Sequence, residues 1–382
     1  MRVVHVIGST EVGGGPEHLV HLTRGLRAHG VDGCVITGIE GGARARLEAA
    51  GTPVRVLGPM GAGAIWTLAR AIRGAEPDLL HLHGGRAGFL GTLAARAVSM
   101  RPVVYTAHMF SFMGPKQALR RWAALRAESL TCAQADRVIC VSRSDRDAAA
   151  ARGIDAARFA VVPSGIDLTR FPAATDRRSE FGLAHDVPVV GAITRLVDEK
   201  DPATFVRMAA HVAERVPEAR FLLVGDGPLR PTLERIGREL VRSGRLFLTG
   251  FRSDVPELLA TLDVVAFPSL SEAQGIALIE AMAAARPVVA SDLASHAEAI
   301  VPGTGVLTPP GDPEGLAAEI VALLRDRPRR EALGRRARQQ VEGRYSADRM
   351  VESTLAIYRE VLECSGAGRP DRRSPAATAH SR

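Results

Sequence analysis

The sequence predicts an α/β protein of two doubly wound domains that face each other across a deep cleft. Three observations predict it. Short apolar runs rich in valine and isoleucine alternate with longer helix-like segments, the rhythm of a parallel sheet with helices on both faces. The runs are continuous rather than alternating, as expected when both faces of a sheet are covered. The rhythm stops at the polar stretch 171–178 and then restarts, so that stretch reads as an interdomain linker.

In the first half a strand at 3–7 runs into a glycine cluster and a helix at 16–29, with Pro16 at the favoured first helical position. A strand at 35–37, a helix at 44–50 and a strand at 54–57 follow. Strands at 79–83, 103–106 and 138–141 precede helices at 87–98, 117–133 and 143–151. In the second half strands are expected at 189–193, 221–224, 246–249, 264–267 and 288–290. Helices at 202–215, 229–241, 255–261 and 276–284 separate them, and helices at 328–344 and 346–362 close the chain. The domains are placed at 1–172 and 173–345, with a closing helix, 346–363, packing back on the first. The tail 365–382 is rich in Arg, Ser, Pro and Ala and is expected to be disordered.

The 382 residues are 46% hydrophobic and 24% charged, enough for two cores without disulfide staples. The four cysteines, Cys34, Cys132, Cys140 and Cys364, show no C-x-x-C spacing and read as reduced thiols of a cytoplasmic protein. No apolar run reaches the roughly 18 residues of a membrane span, and no signal peptide is expected. Charge is uneven. Residues 1–180 hold 23 Arg/Lys against 15 Asp/Glu, whereas 181–382 hold 26 against 27. A basic first half suits lipid head groups, nucleic acid or a phosphorylated small molecule, and also suits a solvated arginine-rich surface. Aromatics are only 4%, with no basic-aromatic platform, which excludes a nucleic-acid module.

Gly13-Gly14-Gly15-Pro16-Glu17 follows a strand and opens a helix, where backbone amides could approach a phosphate; a plain tight turn has the same sequence. It is not G-x-G-x-x-G, so no nicotinamide cofactor is indicated. Arg195 and Lys200 follow the first strand of the second half and could clamp a diphosphate, or pair with Asp198 and Glu199. The only lysines are Lys116 and Lys200. Glu272 lies on the loop after strand 264–267, and Glu280 lies on the next helix amid apolar neighbours. A carboxylate there is costly unless hydrogen-bonded, and ribose hydroxyls would serve. The amides of Gln274, Gly275 and Ile276 start that helix and could meet phosphate or sugar oxygens. Other chemistry fares worse. His81 and His83 are read as pointing to opposite sides of a strand end, which argues against a metal pair. Asp145-Arg146-Asp147 resembles a metal-binding D-x-D but lies at a helix start that favours acids anyway. Ser164 is in Pro-Ser-Gly, not in G-x-S-x-G.

On these residues the chain resembles the retaining glycosyltransferases of family 4, over roughly residues 1 to 362. The matching signatures are the E-x7-E pair Glu272/Glu280, the R-x4-K pair Arg195/Lys200 and the opening Gly14-Gly15-x-Glu17. Further matches are Val224-Gly225-Asp226-Gly227-Pro228, Val162-Pro163-Ser164-Gly165-Ile166-Asp167 and Thr249-Gly250-Phe251. Tyr105-Thr106-Ala107-His108-Met109-Phe110 resembles the family's acceptor-side histidine loop. The segment from His81 to Gly91 is similar to members that build cell-surface polysaccharides. The resemblance implies the GT-B fold, with two Rossmann-like domains. It implies transfer of a hexosyl unit, such as glucosyl or N-acetylglucosaminyl, from a nucleotide sugar to a hydroxyl acceptor, in polysaccharide, glycolipid or natural-product synthesis.

Position by position, it implies that Arg195 and Lys200 neutralise the donor diphosphate and that Glu280 binds the ribose. Glu272 would face the transferred sugar, with the Gln274, Gly275 and Ile276 amides on its oxygens. His108 would touch the sugar from the first domain, and Gly14 and Gly15 would leave room for diphosphate and acceptor. No metal and no cofactor is expected beyond the donor, expected to be UDP-linked, because the two cations already supply positive charge. A nucleotide-sugar epimerase of similar fold is the alternative. Three departures touch the sugar end of the donor site. They are Met109 where the family has glycine, Gln274 where it has an aromatic or apolar residue, and Ala294-Ser295 in place of a glycine pair ahead of Glu298.

Segment 110–126 starts apolar and becomes a basic helix carrying Trp122. It reads as a surface for an anionic bilayer, making the enzyme peripheral at the inner face of the plasma membrane with a lipid-linked acceptor. It also reads as an ordinary helix packing Leu119, Trp122 and Leu125 inward, which would leave the acceptor soluble.

Overall fold

The structure, a computed structural model, describes residues 1–11, 13–61, 63–114, 117–171 and 175–366. Lys116, part of the proposed linker (172–174) and the tail beyond 366 lie outside the described residues. The first unit runs β1 (Arg2–Ser9), α1 (Gly14–Ala28), β2 (Asp32–Ile39), α2 (Ala43–Ala49), β3 (Val54–Val56), α3 (Ala64–Ala75), β4 (Leu79–His83) and α4 (Gly85–Ala97). It continues with β5 (Val103–Thr106), α5 (Ala118–Gln134), β6 (Arg137–Cys140), α6 (Arg143–Ala150) and β7 (Phe159–Val161). The second runs β8 (Val189–Ile193), α7 (Pro202–Arg215), β9 (Arg220–Val224), α8 (Arg230–Ile236), α9 (Arg238–Arg242), β10 (Leu246–Gly250), α10 (Val255–Thr261), β11 (Val264–Phe267) and α11 (Ile276–Ala283). Then come β12 (Val288–Ser291), α12 (Ala294–Ala299), β13 (Val306–Thr308), α13 (Pro313–Arg325), α14 (Arg327–Glu342) and α15 (Ala347–Gly366).

Both sheets are parallel, ordered β3-β2-β1-β4-β5-β6-β7 and β10-β9-β8-β11-β12-β13. In each, the order reverses beside the first strand, between β1 and β4 and between β8 and β11. In open α/β sheets such switch points, beyond the carboxyl ends of the strands, are where ligands bind. Each sheet is covered on both faces. Val4 and Val6 of β1 enter one core with Leu80 and Leu82, while Val3 joins another with Leu79, Val104 and Ile139. Val190 and Phe221 face α7 and α13, while Val189 and Leu222 face α10 and α11. Burial on both faces is why the strands read as unbroken apolar runs.

The chain returns to the first unit at its end. Ile166 bridges Ser346, and Met350, Val351, Leu355 and Tyr358 of α15 pack on Leu22 and Leu26 of α1. The two helices lie so close that a Cβ on Gly25 would come within 2.4 Å of Val351. Sequence periodicity missed α3, β7, α12, β13 and α13, and it joined α8 and α9 across Gly237, which ends one and caps the next.

Candidate active site

The residues singled out from the sequence sit on loops after β1, β5, β8 and β11, at the facing crevices. In the second unit two loops are stitched by backbone. Leu270 N–H and Ser271 N–H donate to the Glu199 carbonyl at 2.9 and 3.2 Å. That brings the Lys200 ammonium to 2.5 Å from Glu272 Oε1, with both side chains about 85% shielded from solvent. Ser269 Oγ donates to the same carboxylate oxygen at 3.3 Å. Arg195 is half exposed and tethered to Glu199 at 3.2 Å, so part of its guanidinium stays open. Asp201, in the left-handed region, caps α7 through the Thr204 N–H and fixes the turn that carries Lys200.

Gly275 caps α11 with φ of 80°, a conformation glycine adopts without strain. No side chain caps this helix start, so the amides that follow are free for an anion or hydroxyl. Glu280, half-buried one turn on, has its carboxyl pushed up to about 7 by desolvation, with Glu17 adding repulsion and Arg170 and Arg46 opposing it. Glu17 is itself ion-paired to Arg46.

The first unit meets these groups closely. A Cβ on Gly14 would lie 3.4 Å from Ile276 Cδ1, and one on Gly15 would lie 3.6 Å from the His108 ring. Gly14 thus faces the second unit, whereas Gly15 faces His108 of the first. Ser271 Oγ approaches Met109 Sδ at 3.8 Å. His108 follows β5 with φ of 57°, a left-handed conformation that costs a non-glycine residue free energy and recurs at functional positions. Burial pushes its pKa down to about 4, so the ring is neutral at physiological pH. Its Nε2 lies 3.2 Å from His83 Nδ1, whose Nε2 lies 3.0 Å from His5 Nδ1.

This corrects the reading of His81 and His83. Alternate residues of a strand share a face, and the two rings stand 4.0 Å apart between β1 and β5. His5, His81 and His83, and likewise His18, His83 and His108, bring ring nitrogens within 4.8 Å of one another. Their pKa values are all lowered, chiefly by burial, and several of the nitrogens bond one another or nearby hydroxyls. His81 contacts Tyr358 Oη and Thr106 Oγ1.

Gln274 does something the sequence did not anticipate. Its side chain crosses to the first unit, where Oε1 accepts the Ser164 N–H at 2.7 Å and Nε2 donates to the Ser164 carbonyl at 2.9 Å. Its backbone remains in the loop after β11. His18 and His296 were not singled out; His18 adjoins Glu17, and the His296 ring would lie 3.6 Å from a Cβ on Gly275. His83 and Ser164 were weighed for other chemistry and given no part in this site. Asp145 is fully buried, with its carboxyl pushed up to about 7 by desolvation, while Asp147 pairs with Arg146 at the surface. The two acids therefore do not form a joint site.

The inward-packing reading of α5 fails. Leu119 and Trp122 are 76% and 60% exposed, and only Leu125 joins the core. Trp66, at the start of α3, is 69% exposed. The helices α3, α4 and α5 lie side by side, so the chain's two tryptophans both stand in water where their helices leave the carboxyl edge of the sheet.

Two family models match, "Glycosyltransferase Family 4" over residues 12–170 and "Glycosyl transferases group 1" over 187–326. Among curated proteins, the chain is 33% identical over 308 residues to the D-inositol 3-phosphate glycosyltransferase of Nocardia farcinica, covering 75% of this chain and 67% of that one. The Salinispora arenicola enzyme of the same name is 30% identical over 315 residues, 76% of this chain and 70% of that one. The UDP-Gal:alpha-D-GlcNAc-diphosphoundecaprenol alpha-1,3-galactosyltransferase of Escherichia coli is 29% identical over 239 residues. That match spans 59% of this chain and only 61% of the galactosyltransferase. Among solved structures, Anabaena HepE in complex with UDP and glucose superposes with a TM-score of 0.82 at 24% identity, covering 94% of this chain and all of that one. Sucrose-phosphate synthase from Thermosynechococcus elongatus gives 0.78 at 22% identity, covering 95% and 99%.

Proposed function

The chain belongs to the group 1, family 4 glycosyltransferases, with the GT-B architecture of two facing Rossmann-like domains, and from that premise we propose that it moves a hexosyl unit from a UDP-linked donor to a hydroxyl acceptor with retention of configuration. The observation that carries this reading is the assembly at the two crevices. Lys200, Arg195 and the uncapped start of α11 stand on one side, with Gly14, Gly15 and His108 on the other. The cations and amides hold the diphosphate and stabilise it as it leaves. Glu280 takes the ribose hydroxyls. His108, neutral, touches the sugar from the first domain.

Glu272 is paired with Lys200, and the family resemblance implies a front-face transfer rather than the two-carboxylate double displacement of retaining hydrolases. The bond from the anomeric carbon to the diphosphate oxygen breaks, the acceptor oxygen bonds to the same face, and the hydroxyl proton passes to the departing phosphate.

The acceptor is lipid-linked in this reading. Trp66, Trp122 and Leu119 expose apolar surface beside Arg120 and Arg126, in the half of the chain with excess positive charge. The Escherichia coli relative is named for a diphosphoundecaprenol acceptor, and the inositol-phosphate relatives supply the soluble alternative for comparison. The test is a screen of UDP-hexoses against polyprenyl-diphosphate sugars and inositol phosphate, with the product's anomeric configuration read by NMR. Retained configuration on a lipid-linked acceptor is expected. An inverted product, or conversion of donor without any acceptor, would overturn it.

A further inference from the structure

Gln274 stands in the loop between Glu272 and α11, yet its side chain is buried and reaches Ser164, where the chain crosses from the first core at Val162 to the second at Ile166. Both of its polar atoms are spent on one residue, donating to the Ser164 carbonyl and accepting the Ser164 N–H. A primary amide matches a backbone unit in this way, one donor to one acceptor and the reverse. The contact continues inward. Ser164 Oγ lies 3.0 Å from His18 Nδ1, and the His18 ring meets the His108 ring edge-on with centroids 4.7 Å apart. His18 is buried, and its Nε2 has no hydrogen-bond partner among the described residues. Ser164 is therefore the polar partner of the His18 ring, and His108 is held between His18, edge-on, and His83, whose Nδ1 lies 3.2 Å from its Nε2.

We propose that Gln274 is a positioning residue that clasps the donor-facing loop of the second domain onto the first and, through Ser164 and His18, sets the His108 ring. The purpose of the clasp rests on the transferase reading, whereas the clasp itself rests only on these contacts. One consequence is that closure of the two domains and placement of His108 are a single event. The donor groups around Glu272 cannot swing away without releasing Ser164, and Ser164 cannot move without freeing His18.

The test needs neither donor nor acceptor. Spin labels are attached through Arg73→Cys on α3 and Arg235→Cys on α8, both exposed, in a Cys34→Ser, Cys364→Ser background. Distances between them are measured by electron double resonance, and the His108 ring signal, identified by its loss in His108→Gln, is followed by NMR. The unsubstituted clasp is expected to give one narrow distance. Gln274→Met is near in size and removes both hydrogen bonds. It should lower the closed population relative to the open one by about tenfold and move the His108 signal. Ser164→Ala leaves the backbone clasp intact, so it should keep the narrow distance and still move His108. If Gln274→Met does not fold, Gln274→Glu keeps the acceptor and sets a charge against the Ser164 carbonyl, and the same opening is expected. A narrow distance with an unmoved His108 signal in the Gln274 variant would overturn the proposal. Calorimetry with UDP on the same samples separates the two readings. A chain that opens on Gln274 substitution, while the unsubstituted protein binds no UDP, keeps the clasp and loses the donor assignment.

Discussion

At the residue scale, the functional weight falls on a few charges whose surroundings are now visible. Lys200 is largely shielded and touches Glu272, so its charge acts through little water. Lys200→Ala and Arg195→Ala should each slow transfer by two to three decades, about 3 kcal/mol, measured as kcat with saturating donor. Activity should survive chelation by EDTA, because in the proposed site these two cations meet the diphosphate charge; a loss restored by added metal would contradict that. Glu280 gives a pH signature. Its carboxyl, raised to about 7, is protonated in the folded protein well above the ordinary glutamate range, so its ionisation costs stability as pH rises towards 7. Ribose hydroxyls donate to the ionised form. Binding of a UDP-hexose, whose diphosphate diester does not titrate in this range, should therefore tighten as pH rises from 6 to 8 and release a proton. Calorimetry in buffers of different ionisation heat measures this, and Glu280→Gln should abolish the pH dependence. Most of these residues were legible in the sequence because spacing along one loop or helix survives folding. The partners of Ser164 and His108 were not, because they come from segments with no sequence proximity. His83 was misjudged for a simpler reason, the period of two along a strand.

Elements set the surfaces. The strands and the helices with strong flanking punctuation were readable, since burial on two faces writes itself as an apolar run. The element α12 was not, being six residues long and short of apolar spacing, and α3 follows the glycine-rich stretch 58–63 that reads as loop. The most consequential element error concerned α5, whose Leu119 and Trp122 suggested inward packing and instead face solvent, while Leu125 packs on the core. With each surface cation contributing about 1 kcal/mol on an anionic bilayer, α5 should carry the chain onto such vesicles. Arg120, Arg121 and Arg126 changed to Gln, or Trp122→Ala with Trp66→Ala, should lower co-sedimentation with anionic vesicles at least tenfold and leave neutral vesicles unbound. Equal binding by the variants would contradict a membrane role. No helix among the described residues is long and apolar enough to cross a membrane.

At the scale of the whole molecule, the two domains are joined at more than one place. Beside the Gln274 clasp, Glu298 of α12 accepts the Arg143 N–H at 2.8 Å and the Ser144 N–H at 3.3 Å at the start of α6. Its other oxygen pairs with Arg344 at 2.8 Å, just before the chain returns to the first domain. Glu298→Ala removes a helix-start acceptor and leaves Arg344 unpaired. It should cost about 1 to 2 kcal/mol in urea unfolding, and Glu298→Gln, which can still accept from α6, should cost less. The repeated doubly wound plan was legible because both halves restart the same rhythm, but the way they clasp each other is written in single polar side chains that no periodicity announces. The proposed donor site holds a nucleotide-sugar diphosphate through Arg195 and Lys200, against the first domain's glycine loop and His108. Calorimetric titration with a panel of UDP-hexoses tests it most directly. Saturable binding of at least one of them, weakened about a hundredfold or more in the Arg195→Ala, Lys200→Ala double variant, is the predicted result. Binding of none, or equal binding by the double variant, would contradict it.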